Sequence, residues 1–156
     1  MNTITCNKKM ISLLLSYRNQ KMALSDGLSE IIHDGLIIRN KCLLFKNLYK
    51  ANNGHIKPYQ FEDLTAYETF INGFSINDFC SNHYLRNGLL FLDELSNIIE
   101  NRYPNTPMEL ILCKSSRMVH FTMHTIRSTD SPYLDCDLEV YSEPTIVYRH
   151  SPSVSR

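Results

Sequence analysis

The chain's 156 residues fit one domain, and a domain of that length buries roughly 70% of the surface its unfolded chain exposes, so it needs no disulfide or metal staple. A hydrophobic share of 43% with 21% charged residues excludes wholesale disorder, and a formal net charge of zero excludes simple nucleic-acid binding, which draws on a basic surplus. No stretch approaches the roughly 18 consecutive apolar residues of a membrane span, so no membrane partner is expected.

The neutral total hides a split. Residues 1–57 hold nine Lys/Arg against three Asp/Glu, residues 58–113 hold two against eight, and residues 114–156 hold five against five. The plain reading is charges solvating different faces; the functional one is a dipolar molecule. The five cysteines (Cys6, Cys42, Cys80, Cys113 and Cys136) are odd in number, far apart and free of any CxxC pair. They read as free thiols in a reducing cytosol rather than a zinc site, and no cofactor is implied. Lys8 and Lys9 precede an apolar run that ends at Leu15 without a small-residue cleavage site. This is not the pattern of a signal peptide, and a cytoplasmic protein is expected.

In chain order, Thr3 or Asn7 can cap a first helix running to about Ala23, with Ile11, Leu14 and Leu15 on one face. Ser25 or Asp26 starts a second helix striped by Leu28, Ile31 and Ile32. The rich segment Leu36–Lys50 fits a helical period poorly, so Leu36–Ile38 reads as a short extended piece, and Asn52-Asn53-Gly54 ends the segment. Pro58 opens a third helix with Glu62 and Asp63 in its first turn. Asn72-Gly73 stops it, and an aromatic helical turn with Phe74, Ile76 and Phe79 follows. The clearest helix runs from about Leu85 to Tyr103, with Leu89, Leu92, Leu95 and Ile99 at core spacing, before Pro104 and Pro107.

The period then changes to two. Met108–Cys113 reads as a strand, Lys114–Arg117 as a hairpin loop, Met118–Arg127 as a strand alternating Val119, Phe121 and Met123 with His120, Thr122 and His124, and Thr145–Arg149 as a third strand. Tyr133–Glu143 is too interrupted to assign. The expected fold class is α+β: a mostly helical N-terminal two-thirds packed on a small C-terminal antiparallel β-sheet, one domain over residues 1–150 with a frayed tail at 151–156.

Two constellations resemble catalytic groups. His120 and His124 share a strand face, but at about 3.3 Å per residue they lie about 13 Å apart and cannot jointly hold one metal ion. Cys80 and His83 form a nucleophile–base pair only if they meet in space with an orienting third group. The acidic loop carries more weight. Asp130, Asp135, Asp137, Glu139 and Glu143 fall within fourteen residues without a Lys or Arg, interleaved with Tyr133 and Tyr141. It reads either as a solvated loop or as a recognition surface for a basic protein, extended by Glu62, Asp63, Glu68 and Asp78.

The segments Phe121–Arg127 (F-x-M-H-x-x-R), Tyr133–Tyr141 and Glu143–Val147 resemble the closing segment of small bacterial immunity proteins, such as those paired with contact-dependent growth-inhibition toxins. The likeness covers about thirty residues. It implies a cytosolic, non-enzymatic protein that binds and blocks one cognate toxin domain, often a nuclease, and it implies neither metal nor cofactor. The alternatives are a small enzyme using His120/His124 or Cys80/His83, and a structural or regulatory interaction module assembling through Leu36–Tyr49.

Overall fold

Val119, Phe121 and Met123 all turn inward, and the strand that carries them lies inside a larger sheet than its sequence announces. The computed structural model describes residues 1–17, 21–52 and 55–152. Among these, the strands are β1 (Thr3–Cys6), β2 (Leu36–Arg39), β3 (Cys42–Phe45), β4 (Phe74–Ser75), β5 (Met108–Ser115), β6 (Met118–Thr125) and β7 (Thr145–His150). The helices are α1 (Lys8–Ser16), α2 (Asp26–Asp34), α3 (Lys46–Ala51), α4 (Leu64–Asn72) and α5 (Tyr84–Arg102), and short 3-10 turns lie at Pro58–Gln60, Ile76–Asp78 and Leu138–Val140.

The α+β class holds, but the expected partition does not. Strands β1 to β4 all lie in the part read as mostly helical. The sheet is a five-stranded one in the order β1-β7-β5-β6-β4, so both ends of the chain and its middle enter it; β2 and β3 form a separate hairpin. Strand β1 sits where a helix cap was expected at Thr3, and Asn7 is the true cap, its side chain accepting from Met10 N at 3.0 Å. Helix α1 ends at Ser16; the expected continuation to Ala23 crosses residues 18–20, which lie outside the described residues, and residues 21–25 are not helical. The extended piece at Leu36–Ile38 is half of the β2–β3 hairpin, turned through Asn40 and Lys41 at φ 53° and 61°, the left-handed pair that a tight two-residue hairpin needs. Of the expected stop Asn52-Asn53-Gly54, the last two residues lie outside the described set, as do residues 153–156 of the tail. Pro58 opens only a 3-10 turn, and α4 starts six residues later with Asp63 as its cap.

The core sits between α5 and the inner face of the sheet. Leu85, Phe91, Leu92, Leu95 and Ile99 of α5 meet Leu110, Leu112, Phe121, Met123, Ile146 and Tyr148. Rings of Phe45, Phe74, Phe91 and Phe121 meet with centroids 5.0–6.0 Å apart, mostly edge to face, the arrangement their quadrupoles favour. Gly88 lets α5 lie close on β5, since a Cβ there would stand 2.9 Å from Leu112 Cδ1. Asn72, fully buried at the end of α4, donates to Leu43 O and Met123 O and accepts from Phe45 N, tying the hairpin to the sheet.

Candidate functional site: the outer face of the sheet

The face turned away from α5 is organised by strand register into cross-strand rows. One row is charged: Arg149 on β7, Glu109 on β5 and His124 on β6. The next is Val147, Ile111 and Thr122; the third is Thr145, Cys113, His120 and, on β4, Ser75. Residues 126–144 leave β6 and cross this face as a strap before entering β7. Leu134, Leu138 and Tyr141 of the strap pack on Ile111 and Val147, so the middle row is the apolar seat of the strap.

Hydrogen bonds fasten the strap at both ends. Near its start, Arg127 donates to Glu68 Oε2 at 2.7 Å and to Lys41 O at 2.9 Å, and Asp130 accepts from Thr65 N at 3.1 Å and Thr65 Oγ1 at 2.7 Å. At the far end, buried Asn7 donates to Glu143 O at 2.7 Å and accepts from Thr145 N, while Glu139 Oε1 accepts from Lys8 N at 2.6 Å, capping α1. Between them Tyr141 Oη accepts from Asp135 N, Asp135 accepts from Asp137 N, and Asp137 accepts from Glu139 N.

In the charged row Glu109 and His124 are buried, and Arg149 reaches the surface. Glu109 accepts from Arg149 Nε at 2.5 Å and faces His124 Nε2 at 3.2 Å, and the ring of Tyr133 meets that of His124 at 5.6 Å. Burial works against the Glu109 charge, but the hydrogen bonds and charges of His124 and Arg149 outweigh it and hold the carboxyl below its ordinary value. Burial likewise works against the Arg127 cation, and adjacent Glu68 raises its pKa above the ordinary value. The Thr65 hydroxyl, ahead of other contacts, lowers Asp130.

Beyond the strap the third row is open. It floors a groove of about 660 Å³ between the strap, which contributes Tyr133, Leu134, Tyr141 and Glu143, and the β4 side, which contributes Phe74, Ser75 and Asp78. Cys113 and His120, cross-strand partners, line it together. Burial first, then the Glu143 carboxylate, pushes the Cys113 thiol up, away from the nucleophilic thiolate. Burial, with Cys113 and Tyr141 nearby, pushes the Tyr133 hydroxyl up as well.

The residues singled out in the sequence fall into three groups. Tyr133, Tyr141, Glu143 and His120 meet at the groove. Asp135, Asp137 and Glu139 stand exposed on the strap, and Glu62 is exposed before α4. The remaining carboxylates are internal: Asp63 caps α4 by accepting from Ala66 N at 2.8 Å, Asp130 holds Thr65, and Glu68 has no exposed surface at all. Glu68 is therefore no extension of an acidic surface; Arg127, Thr125 N and Thr125 Oγ1 enclose it. His124 is buried against Glu109 while His120 lies two rows away in the groove. Cys80 and His83 share a smaller cleft, but Cys80 donates to Ile76 O at 3.3 Å and burial raises its thiol. Asp78, expected to extend the acidic surface, lines the groove; sequence reasoning left Cys113 as one of five free thiols, and the register Cys113↔His120 was the signal that could have found it. Among the described residues, no cluster of three or more His, Cys, Asp or Glu has the geometry to hold a metal ion, and no helix is long and apolar enough to cross a membrane.

The family described as "Uncharacterized protein PM0498 family" matches residues 5–156. "Uncharacterized protein PM0498" of Pasteurella multocida (strain Pm70) is 35% identical over 78 residues, which is 47% of this chain and 49% of that protein. The matched stretch thus spans about half the length of this relative. No solved structure matches at a significant level. The chain belongs to the PM0498 family.

Proposed function

We propose that this member of the PM0498 family is a cytoplasmic binding protein of the toxin-immunity type, which occludes a basic domain of one partner protein with the strap and groove of its outer sheet face. The observation that carries the reading is the groove itself: of the sixteen residues that line it, Asp78 and Glu143 are carboxylates and none is Lys or Arg. Asp135, Asp137 and Glu139 add exposed negative charge along the adjoining strap. Carboxylates set beside aromatic walls suit a wet, charged protein interface and steer a basic partner towards it. The segments that resemble immunity proteins, Phe121–Arg127, Tyr133–Tyr141 and Glu143–Val147, are parts of β6, the strap and β7, so they converge on this same face. A fastened strap also presents its surface already ordered, which reduces the entropic cost of association.

An enzymatic reading has less support. His124 is committed to Glu109, Cys80 to Ile76 O, and the Cys113 and Cys80 thiols are both raised. An oligomer through Leu36–Tyr49 is also less favoured, because β3 is buried and Leu43, Leu44 and Phe45 belong to the protein's own core.

The test is co-expression with the toxin domain encoded by the neighbouring open reading frame. The wild-type chain co-purifies with it and protects cells. The variant Asp135→Asn/Asp137→Asn/Glu143→Gln, which keeps the side-chain acceptors but removes three charges, associates roughly tenfold more slowly at low salt. No binding by the wild type, or an unchanged association rate for the variant, overturns the reading.

A further inference from the structure

The groove has walls of two kinds. Tyr133 and Tyr141 supply ring surface, and Ile111, Phe74 and Met118 supply apolar surface; Glu143, Asp78 and His120 supply the polar atoms. Flat apolar contact would be served without the carboxylates, and a simple ion pair without the rings. Together they match one kind of group: a planar cation on an apolar stem. An arginine stem lies along apolar surface while its guanidinium stacks on an aromatic face and meets a carboxylate. Glu143 is placed for this. Its Oε1 accepts from Ser115 Oγ at 3.1 Å and its main-chain carbonyl is held by Asn7 and Thr145, so the carboxylate is positioned by the fold yet remains exposed. The volume of about 660 Å³ exceeds what one side chain fills, leaving room for the residues on either side of it. Among the described residues, no Lys or Arg lines the groove to compete.

We propose that the groove receives an arginine side chain, with its immediate neighbours, from an extended segment of the partner polypeptide. Tyr133 and Tyr141 stack against the guanidinium and stem, Glu143 and Asp78 balance the charge, and Phe74 and Met118 contact the flanking apolar residues, with Ile111 directly beneath the rings. The inference rests on the protein-binding reading above and specifies which chemistry of the partner enters the groove. Its test uses no toxin, so it can fail while that reading stands.

The probe is the capped tripeptide acetyl-Leu-Arg-Leu-amide, titrated into the full chain with methyl NMR signals of Ile111 and Met118 as reporters. Its citrulline analogue has the same shape without the charge, and spermidine carries charge without the planar group or peptide. The arginine peptide shifts both methyl signals and binds roughly tenfold more tightly than the citrulline peptide. Glu143→Gln, which retains an acceptor for Ser115 Oγ, weakens the arginine peptide about fivefold and leaves the citrulline peptide unchanged. Met118→Lys, at a site 39% exposed, abolishes the preference for arginine without lowering the thermal midpoint. Absence of shifts at Ile111 and Met118, equal binding of the two peptides, or spermidine binding as tightly as the arginine peptide at the same signals overturns the proposal.

Discussion

The two faces of the sheet are built by different physics. The inner face is apolar and continuous: Leu110, Leu112, Phe121, Met123 and Ile146 press against α5, and burial of such side chains contributes about 1.5–3 kcal/mol each. The outer face carries Arg149, Glu109 and His124 in one row and Cys113 and His120 in another, and the strap seated on its Ile111 and Val147 is fastened by hydrogen bonds to α4 and to Asn7. Loss of any one inner contact is shared among many neighbours. An outer ion pair rests on one or two partners, and removing the nearer one leaves a buried charge poorly compensated. The lesson is that the inner face makes the fold, while the outer face fixes a strap that leaves Asp135, Asp137 and Glu139 exposed.

The largest expected effect breaks the outer face at its tightest point. Glu68→Ala leaves the Arg127 side chain, only 12% exposed, with Asp130 at 4.0 Å as its remaining carboxylate, and is expected to cost about 3–5 kcal/mol in urea denaturation. Ile99→Val, a trimmed methyl on the inner face, is expected to cost about 0.5–1.5 kcal/mol by the same measurement. If the two losses are equal, the contrast between the faces fails.

A smaller effect sharpens the contrast through pH. The folded-state pKa of Glu109 lies below its ordinary value of 4.5. The folded protein therefore binds this proton less readily than the unfolded chain, so the carboxylate contributes stability above pH 4.5 and loses it as pH falls through the depressed folded value. Asp130, lowered from 3.8, acts in the same direction over a more acidic range. Glu109→Gln is expected to cost about 1–3 kcal/mol at neutral pH, and the wild-type and variant denaturation curves converge as pH drops below 4.5. Ile99→Val keeps a constant gap over the same range. A Glu109→Gln gap that does not narrow on acidification contradicts the assignment.

This contrast also explains what the sequence disclosed. The helix at Leu85–Tyr103 and the strand from Met118 were legible because each shows its period; the strands from Met108 and Thr145 are buried on both faces and read as short apolar runs beside it, and α5, β5, β6 and β7 match the expected elements within a few residues. Strand β1 was not, since Thr3, Ile4 and Thr5 are all exposed and Cys6 only half-buried, which leaves no alternation to read. Strand β3 hides for the opposite reason: all four residues are buried, and a continuous apolar run has no period. On the outer face, the carboxylates looked alike in sequence. What separates Glu68 and Asp130 from Asp135 and Asp137 is a partner 59 and 65 residues away, Arg127 and Thr65, which no local pattern encodes. The stretch of acidic and aromatic residues was recognisable as a unit; that Asp130 turns in to hold the fold while Asp135, Asp137, Glu139 and Glu143 stay exposed was not.

The central claim, that the open end of the outer face takes an arginine-bearing segment, is tested most directly by the groove's own cysteine. Cys113 lines the groove and is half-buried, whereas Cys136 stands exposed on the strap. Site-resolved alkylation by N-ethylmaleimide is followed at pH 8.5 with and without saturating acetyl-Leu-Arg-Leu-amide. The account predicts that the peptide slows modification of Cys113 several-fold and leaves Cys136 unchanged. An unaltered rate at Cys113, or equal slowing at both cysteines, would contradict it.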